Sequence, residues 1–419
     1  MDPFGWESPS EASALDAATE WARSGAMALT GRADGPPVVA PAAVAVAARR
    51  AADTFCARAR QGGATLALDG PALLGERAAI AGLGRNGRLA VGGGSRLLRS
   101  ADGWVAVSLA RPDDFAAIPA WLETAKPEPA ADWDRVASRA REATTQTLVD
   151  RARLVGLAVA DAAAPVRSAR PWLQIAARGD AAERRPADCP LVVDLSSLWA
   201  GPLCAQLLLL AGARVVKVES ATRPDGARFG PAAFFDLLNA GKQSVALDFA
   251  TRAGRAALQR LLERADVVIE SARPRALRQL GIDAESLVAA RPGRVWVSIT
   301  GYGRGEPEAN WIAFGDDAAA AAGLAAVAGR GDDGPLFCAD AIADPLAGLH
   351  AAAAGLVAWQ AGGGALLDVS LCDVAAQALA CAPEPVAARH SVLLPRARTP
   401  AGCARRLGAD TASVLAALG

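Results

Sequence analysis

The sequence predicts an α/β protein: a parallel sheet with helices on both faces, accompanied by a smaller α+β domain. Two features point there. From residue 191 onward, short apolar runs alternate with helical stretches. Upstream, over 71–185, strand and helix signals are mixed differently, with a hairpin near the start. Hydrophobic residues make up 52% of the 419, enough to bury more than one core.

Taken in order, residues 1–70 are alanine-rich and helical in character. "SRLLRSADGWVAVSLA" (95–110) reads as two strands around an Ala-Asp-Gly turn. Helical stretches follow near 113–124 and 132–156. "AARGDAAERRPADCP" (176–190) is charged, carries two prolines and reads as a linker. "LVVDL" then opens the parallel sheet, followed by a loop, "SSLWAG", and a helix with Pro202 expected at its first position. Gly212 ends that helix. "RVVKVES" (214–220), "SVALDF" (244–249), "DVVIES" (266–271) and "RVWVSITGYG" (294–303) are the next strands, with a helix over 251–264 between two of them. The expected units are 1–70, 71–175, a linker 176–190, 191–380 and a tail 381–419 ending in a helix.

Composition excludes several functions. Lys and Arg total 44, as do Asp and Glu, so no net charge draws the chain to nucleic acid or an anionic membrane. The seven cysteines form no CxxC pair, and the two histidines, His350 and His390, offer no zinc spacing. No metal site is expected, and the cysteines fit a reducing compartment. The start, "MDPFGWESPSEAS", has neither a basic nor an apolar stretch of the kind that makes a signal peptide. The longest apolar runs are too short to span a bilayer. The expectation is a cytoplasmic protein. Lysine is almost absent, at Lys126, Lys217 and Lys242.

Carboxyl ends of parallel strands are where open α/β sheets bind ligands. The loop after "LVVDL" lacks the glycines of a dinucleotide fingerprint, which argues against a nicotinamide or flavin. Arg223, Arg228, Arg273, Arg275 and Arg278 follow strand ends and as a set favour an anionic ligand. Asp344, before Pro345 in "FCADAIADPLAGLH", has two readings. It can cap the N-terminus of the helix that follows. It can also be a nucleophile, held ionised by the helix dipole beside N–H groups able to stabilise an oxyanion. Local sequence alone favours the cap. Asp316 and Asp317, in "FGDDAAAAAGL", read by default as acids of a helix's first turn, or as a pair titrating jointly near a site. Asp340 reads as a structural or surface acid. "SGAMALTGRADGPP" (24–37) echoes "AGLAAVAGRGDDGPL" (322–336), with glycines at matching places.

Several segments, in order, resemble the class III CoA-transferases, the CaiB/BaiF family, which includes formyl-CoA transferases and α-methylacyl-CoA racemases. They are "VVDLSSLWAGPLCAQLLLLAGARVVKVE" (192–219), "NAGKQSVALDF" (239–249), "ADVVIESARPRALRQLGID" (265–283), "VSITGYGRGEP" (297–307), "DPLAGLHAA" (344–352) and "LLDVSLCD" (366–373). The resemblance implies a Rossmann-like domain with that family's fold. It also implies an acyl-CoA:carboxylate CoA-transferase acting through an aspartyl anhydride and an aspartyl-CoA thioester. Asp344 matches the family nucleophile, and Asp316 is carried as a second candidate catalytic acid. Coenzyme A and acyl-CoA are then substrates. Trp199, Ala200, Ser220, Phe249, Ser271, Ala272, Arg273 and Leu280 match its contacts. An interlocked homodimer is implied as well.

The chain departs from the family pattern. Ala240 and Gln243 replace arginines, and Ser271 and Ala272 replace Asn-Phe. No histidine precedes Asp316, which disfavours a racemase. "DGWVAVSLARPDDFAAIPAWLE" (102–123) looks like the family's small domain, yet it precedes the Rossmann-like part. This implies a permuted order with a degenerate partial copy at the N-terminus, in which 38–50 holds no aspartate matching Asp344. A non-catalytic CoA-binding partner subunit and an acyl-CoA isomerase are the alternatives.

Overall fold

A computed structural model describes residues 14–124, 132–163, 170–184, 188–330, 333–381 and 390–418. The first residues, 1–13, and Lys126 lie outside them. Two sheets organise the chain. The smaller is antiparallel: β1 (Ser95–Arg99), β2 (Trp104–Ser108) and β3 (Ala158–Asp161), in that order. The helices Pro112–Trp121, Trp133–Ala140 and Thr145–Val155 cover it, around Val105, Val107, Trp121 and Leu148. The 95–110 hairpin thus stands where the alternation predicts it.

The larger sheet has seven strands: β4 (Leu173–Arg178), β5 (Leu191–Asp194), β6 (Arg214–Ser220), β7 (Gln243–Leu247), β8 (Val267–Glu270), β9 (Val295–Thr300) and β10 (Ala365–Ser370). Their spatial order is β4-β10-β9-β8-β5-β6-β7. All neighbours run parallel except β4, which pairs antiparallel with β10 at the edge. Strand polarity and right-handed crossovers make β5 and β8 the point where the chain reverses its direction of winding.

The strands read as continuous valine-rich runs because both faces are covered. Successive residues feed opposite cores. Val192, Val215, Val267, Val295 and Val297 enter one, shared with the helices Ala200–Leu210 and Ala343–Gln360. Val193, Val216, Val268 and Trp296 enter the other, with Leu258, Leu261 and Val288. The N-terminal helices belong to the first core: Trp21, Ala48 and Phe55 are fully buried in it. In space, residues 14–61 are therefore part of the main body.

Two expectations change. The linker over 176–190 begins inside β4, so the boundary at 175 cuts a strand. Leu173 to Arg178 alternate, and Leu173, Gln174, Ile175, Ala177 and Arg178 find ladder partners on β10, with an irregularity at Ala176. The helix after β5 starts at Ala200, which places Pro202 third rather than first. The tail 390–418 is a strap. Leu393 N–H donates to Ala22 O, Arg398 Nε pairs with Glu76 at 2.7 Å, and Ser244 N–H donates to Asp410 beside the terminal helix Thr411–Ala416. The echo has a geometric counterpart, since Gly25 and Gly323 both take left-handed φ (83° and 97°) before a short helix. Among the described residues no helix is long and apolar enough to cross a membrane.

Candidate active site

A cavity of about 360 Å³ opens at the reversal point between β5 and β8. The loops after those strands line it with Ser197, Leu198, Ser271, Ala272 and Arg273, and Asp344 is also on the lining. Leu198 sits at φ 69°, a conformation a γ-branched side chain rarely adopts. Its N–H donates to Asp225 Oδ1 at 2.9 Å, and the Ser197 N–H donates to Ser271 Oγ at 3.3 Å.

Two of the chain's three lysines hold this loop from beneath. Lys217 Nζ donates to Ser196 O at 2.9 Å and pairs with Asp225 at 3.0 Å. Lys242 Nζ donates to Asp194 Oδ2 at 2.9 Å, Pro202 O at 2.9 Å and Asn239 Oδ1 at 3.1 Å. Both ammonium groups are buried. Burial pulls Lys242 down to about 8, against the attraction of Asp194. Asn239 and Lys242 of the "NAGKQS" segment are thus supports of the strand-end loop, out of the cavity's reach.

Asp344 lies in the first turn of the helix Ala343–Gln360. The cap position is Ile342, which makes no side-chain cap bond, so the capping role expected of Asp344 is not what the structure shows. Gly348, one turn on, explains how the carboxylate is aimed. A Cβ there would lie 2.5 Å from Ala200 O, so the helix crosses Ala200–Leu210 at backbone contact. Gly348→Val is expected to force the two helices apart and cost about 1–3 kcal/mol, read as a lower urea midpoint. Gly315 is also obligatory, since its Cβ would lie 2.7 Å from Asp344 Oδ2 and 2.3 Å from Ala341 O.

The environment of Asp344 is acidic. Burial pushes its carboxyl up to about 7, opposed first by Arg77, while Asp316 and Asp340 add to the rise. The expectation that the helix end keeps it readily ionised is therefore corrected: desolvation outweighs the dipole. Asp316 stands behind the cavity, 8% exposed. It accepts from Ser95 Oγ at 2.9 Å and from the Ala341 N–H at 3.0 Å. Asp317 is fully buried and accepts from the Phe314 N–H at 2.9 Å. Each acid therefore has its own bonds. Asp340 is fully buried and paired with Arg77, which removes the surface reading. His350 is buried, with Nδ1 at 2.8 Å from Leu346 O, and carries no part of the site.

Of the residues expected to touch the ligand, Asp344, Ala200, Ser271, Ala272 and Arg273 line the cavity. Trp199 does not: it is 2% exposed, edge-on to Phe234 at 5.1 Å. Asp316, Ser220, Phe249 and Leu280 are also off the lining. Ser220 Oγ accepts from the Arg223 N–H at 3.2 Å, fixing the turn that brings Arg223 to the cavity. Phe249 and Leu280 pack on the second core. Sequence reasoning missed Arg111, Trp311 and Phe314, which also line it. Arg111 comes from the smaller sheet's unit, and no local pattern marks it.

An adjoining cavity of about 310 Å³ shares Arg111 and Arg273 and adds Arg153 and Arg275. Among the described residues Arg223, Arg273 and Arg275 make no ion pair, whereas Arg228 is held by Glu219 at 2.6 Å. Burial and then Arg275, Arg111 and Arg223 lower the pKa of Arg273, a cluster that an anion would relieve. Among the described residues no group of three His, Cys, Asp or Glu side chains is placed to hold a metal ion.

Residues 190–398 match the model of CoA-transferase family III. The chain is 33% identical over 198 residues to succinyl-CoA–D-citramalate CoA-transferase of Chloroflexus aurantiacus, covering 45% of this chain and 49% of that protein. It is 33% identical over 206 residues to succinate–glutarate CoA-transferase of Agrobacterium fabrum, covering 45% and 52%. Against formyl-CoA:oxalate CoA-transferase of Escherichia coli, identity is 31% over 166 residues, covering 38% and 40%. The chain thus spans about half the length, or less, of these curated relatives. A solved CAIB/BAIF family protein from Brucella suis is 34% identical over 47% of this chain and 56% of its own, with a TM-score of 0.43.

Proposed function

Over residues 190–398 this chain belongs to CoA-transferase family III, and from that premise we propose that it transfers coenzyme A between an acyl-CoA and a carboxylic acid. One observation carries the reading: Asp344 presents a carboxylate, free of an ion pair among the described residues, to a cavity at the strand-reversal point. Glu308, the other acid on the lining, is held by Arg170 at 3.4 Å.

Asp344 attacks the thioester carbonyl. The C–S bond breaks, CoA thiolate leaves with the electron pair, and a mixed anhydride remains. The thiolate attacks the aspartyl carbonyl of that anhydride, freeing the first acid and leaving an aspartyl-CoA thioester. An acceptor carboxylate attacks this thioester and displaces the thiolate. The thiolate then attacks the acceptor's carbonyl, giving the new acyl-CoA and restoring Asp344. Dividing the transfer into such steps is nucleophilic catalysis. The unpaired arginines support an anionic substrate along the carboxyl edge. The CoA contacts proposed at Ala200, Ser271, Ala272 and Arg273, which line the cavity, belong to this reading, as does a dimer.

The test is incubation with a panel of acyl-CoAs and hydroxylamine, followed by peptide mass mapping. A hydroxamate at Asp344 supports the reading; CoA binding with no adduct under any acyl-CoA defeats it. The nucleophile must be ionised, and its carboxyl lies near 7. Adduct formation is therefore expected to rise about tenfold per pH unit below that value and to level off above it. Rapid-quench sampling across neutral pH checks this; a flat profile contradicts it.

A further inference from the structure

Arg77 lies upstream of the matched segment, in the short helix Glu76–Ala81, and no pattern in the sequence singled it out. Its Nε donates to Asp340 Oδ2 at 2.8 Å, and its Nη2 donates to Oδ1, a two-armed pair. The guanidinium stacks over the Trp199 ring at 4.9 Å. Gly92 closes over it: a Cβ there would lie 2.7 Å from Arg77 Nη2 and 3.4 Å from Asp340 Oδ1. The loop it grips is strained. Ala339 and Ala341 flank Asp340 at φ 53° and 44°, and Asp344 lies three residues beyond Ala341.

We propose that Arg77 is a positioning residue for Asp344: through Asp340 it fixes the loop that delivers the carboxylate, and its guanidinium is the positive charge set against the surrounding acids. The proposal deepens the transferase reading, on which it rests for calling Asp344 the nucleophile.

The charges around Asp344 come from every side. Asp316 and Asp317 arrive on the helix Gly315–Ala321, Asp340 on the loop and Arg77 from the N-terminal segment. The Cys338 thiol, pushed up to about 12 by burial, is uncharged. Glu76 is engaged elsewhere, by Arg398. Arg111, Arg223 and Arg273 face the cavity, where solvent and substrate reach them. Among the described residues Arg77, its side chain 28% exposed, is thus the one cation set among these carboxylates, and its pull on Asp344 opposes the push of Asp316 and Asp340. Trp199 gains a role here. It lies off the cavity lining because it forms the floor under the guanidinium.

Opposite shifts follow. Removing Arg77 leaves Asp344 with only like charges inside; removing the charge of Asp340 leaves it the full effect of Arg77. A carbodiimide with an amine labels protonated carboxyls, so the pH at which Asp344 labelling falls by half reads its ionisation without turnover. In the full chain, Arg77→Met is expected to raise this midpoint by about one pH unit or more, and Asp340→Asn to lower it. Arg77→Lys, which keeps the charge, is expected to stay within about half a unit of the parent. Midpoints that do not move, or that move the same way, overturn the proposal. Should Arg77→Met fail to fold, Arg77→Gln, uncharged but still a donor to Asp340, takes its place: a raised midpoint supports the proposal, an unmoved one overturns it. If the shifts occur but the parent forms no hydroxamate, the transferase reading fails and the placement of Arg77 stands.

Discussion

Asp344→Asn is expected to lower CoA transfer by about 10⁴-fold or more, because the amide cannot form the anhydride. The shape of the site should survive, since Asn fills the same space beside Gly315 and Ala341. Stability should change in the opposite direction. Burial raises the Asp344 carboxyl from 3.8 to about 7. Below the unfolded value the group is protonated in both states and has no effect. As pH rises toward 7 the native state holds a proton that the unfolded chain has lost, and stability falls. Above 7 the full penalty applies. The variant should therefore match the parent in acid and exceed it by about 1–3 kcal/mol at mildly alkaline pH, a range discounted because the carboxyl reaches the cavity. Urea melts at two pH values, alongside a transfer assay, test both halves. Activity within tenfold of the parent would remove Asp344 from the nucleophile's place.

Lys242→Met should cost about 3–5 kcal/mol, the usual result of breaking a buried ion pair from one side. Asp194 is fully buried and depends on Lys242 and Lys217 to remain charged; burial alone would raise its pKa, and the two lysines reverse that. Removing Lys242 leaves Asn239 Oδ1 and Pro202 O without their donor as well. The strand-end loop 195–199 rests on this cluster, so CoA affinity should fall with stability. Urea melts and equilibrium CoA binding measure the two effects. Lys242→Arg is no remedy, because a planar fork does not fit three acceptors arranged around a point charge. A variant with the parent's urea midpoint would show that the cluster is not the support described.

Much of the fold was legible. Both faces of the large sheet are covered, so each central strand is a continuous apolar run, and runs of this kind stand out without neighbours to compare. Five parallel strands were read from them within a few residues. β10 was matched as a motif and not read as a strand, and β4 escaped because it is an edge strand beside a charged stretch, where Leu173 to Arg178 carry only a faint alternation. The antiparallel pairing with β10 that makes it a strand spans most of the chain's second half. The N-terminal helices were legible as helices, but nothing local showed that Trp21 and Phe55 share a core with the helix bearing Asp344.

The site divides the same way. Asp344 was found by its place before Pro345 and by the family motif around it, both short-range signals. Its surroundings were misjudged, because a helix's first turn reads as a favourable place for an anion when only the helix is in view. Turn geometry, strand runs and the order of motifs are written in neighbouring residues, so the chain carries them before it folds. The ionisation of Asp344 is set by Arg77, Asp316 and Asp340, which belong to separate stretches of chain. Packing alone brings them to one point, and charge interactions in a buried site depend on distance and desolvation rather than on sequence separation.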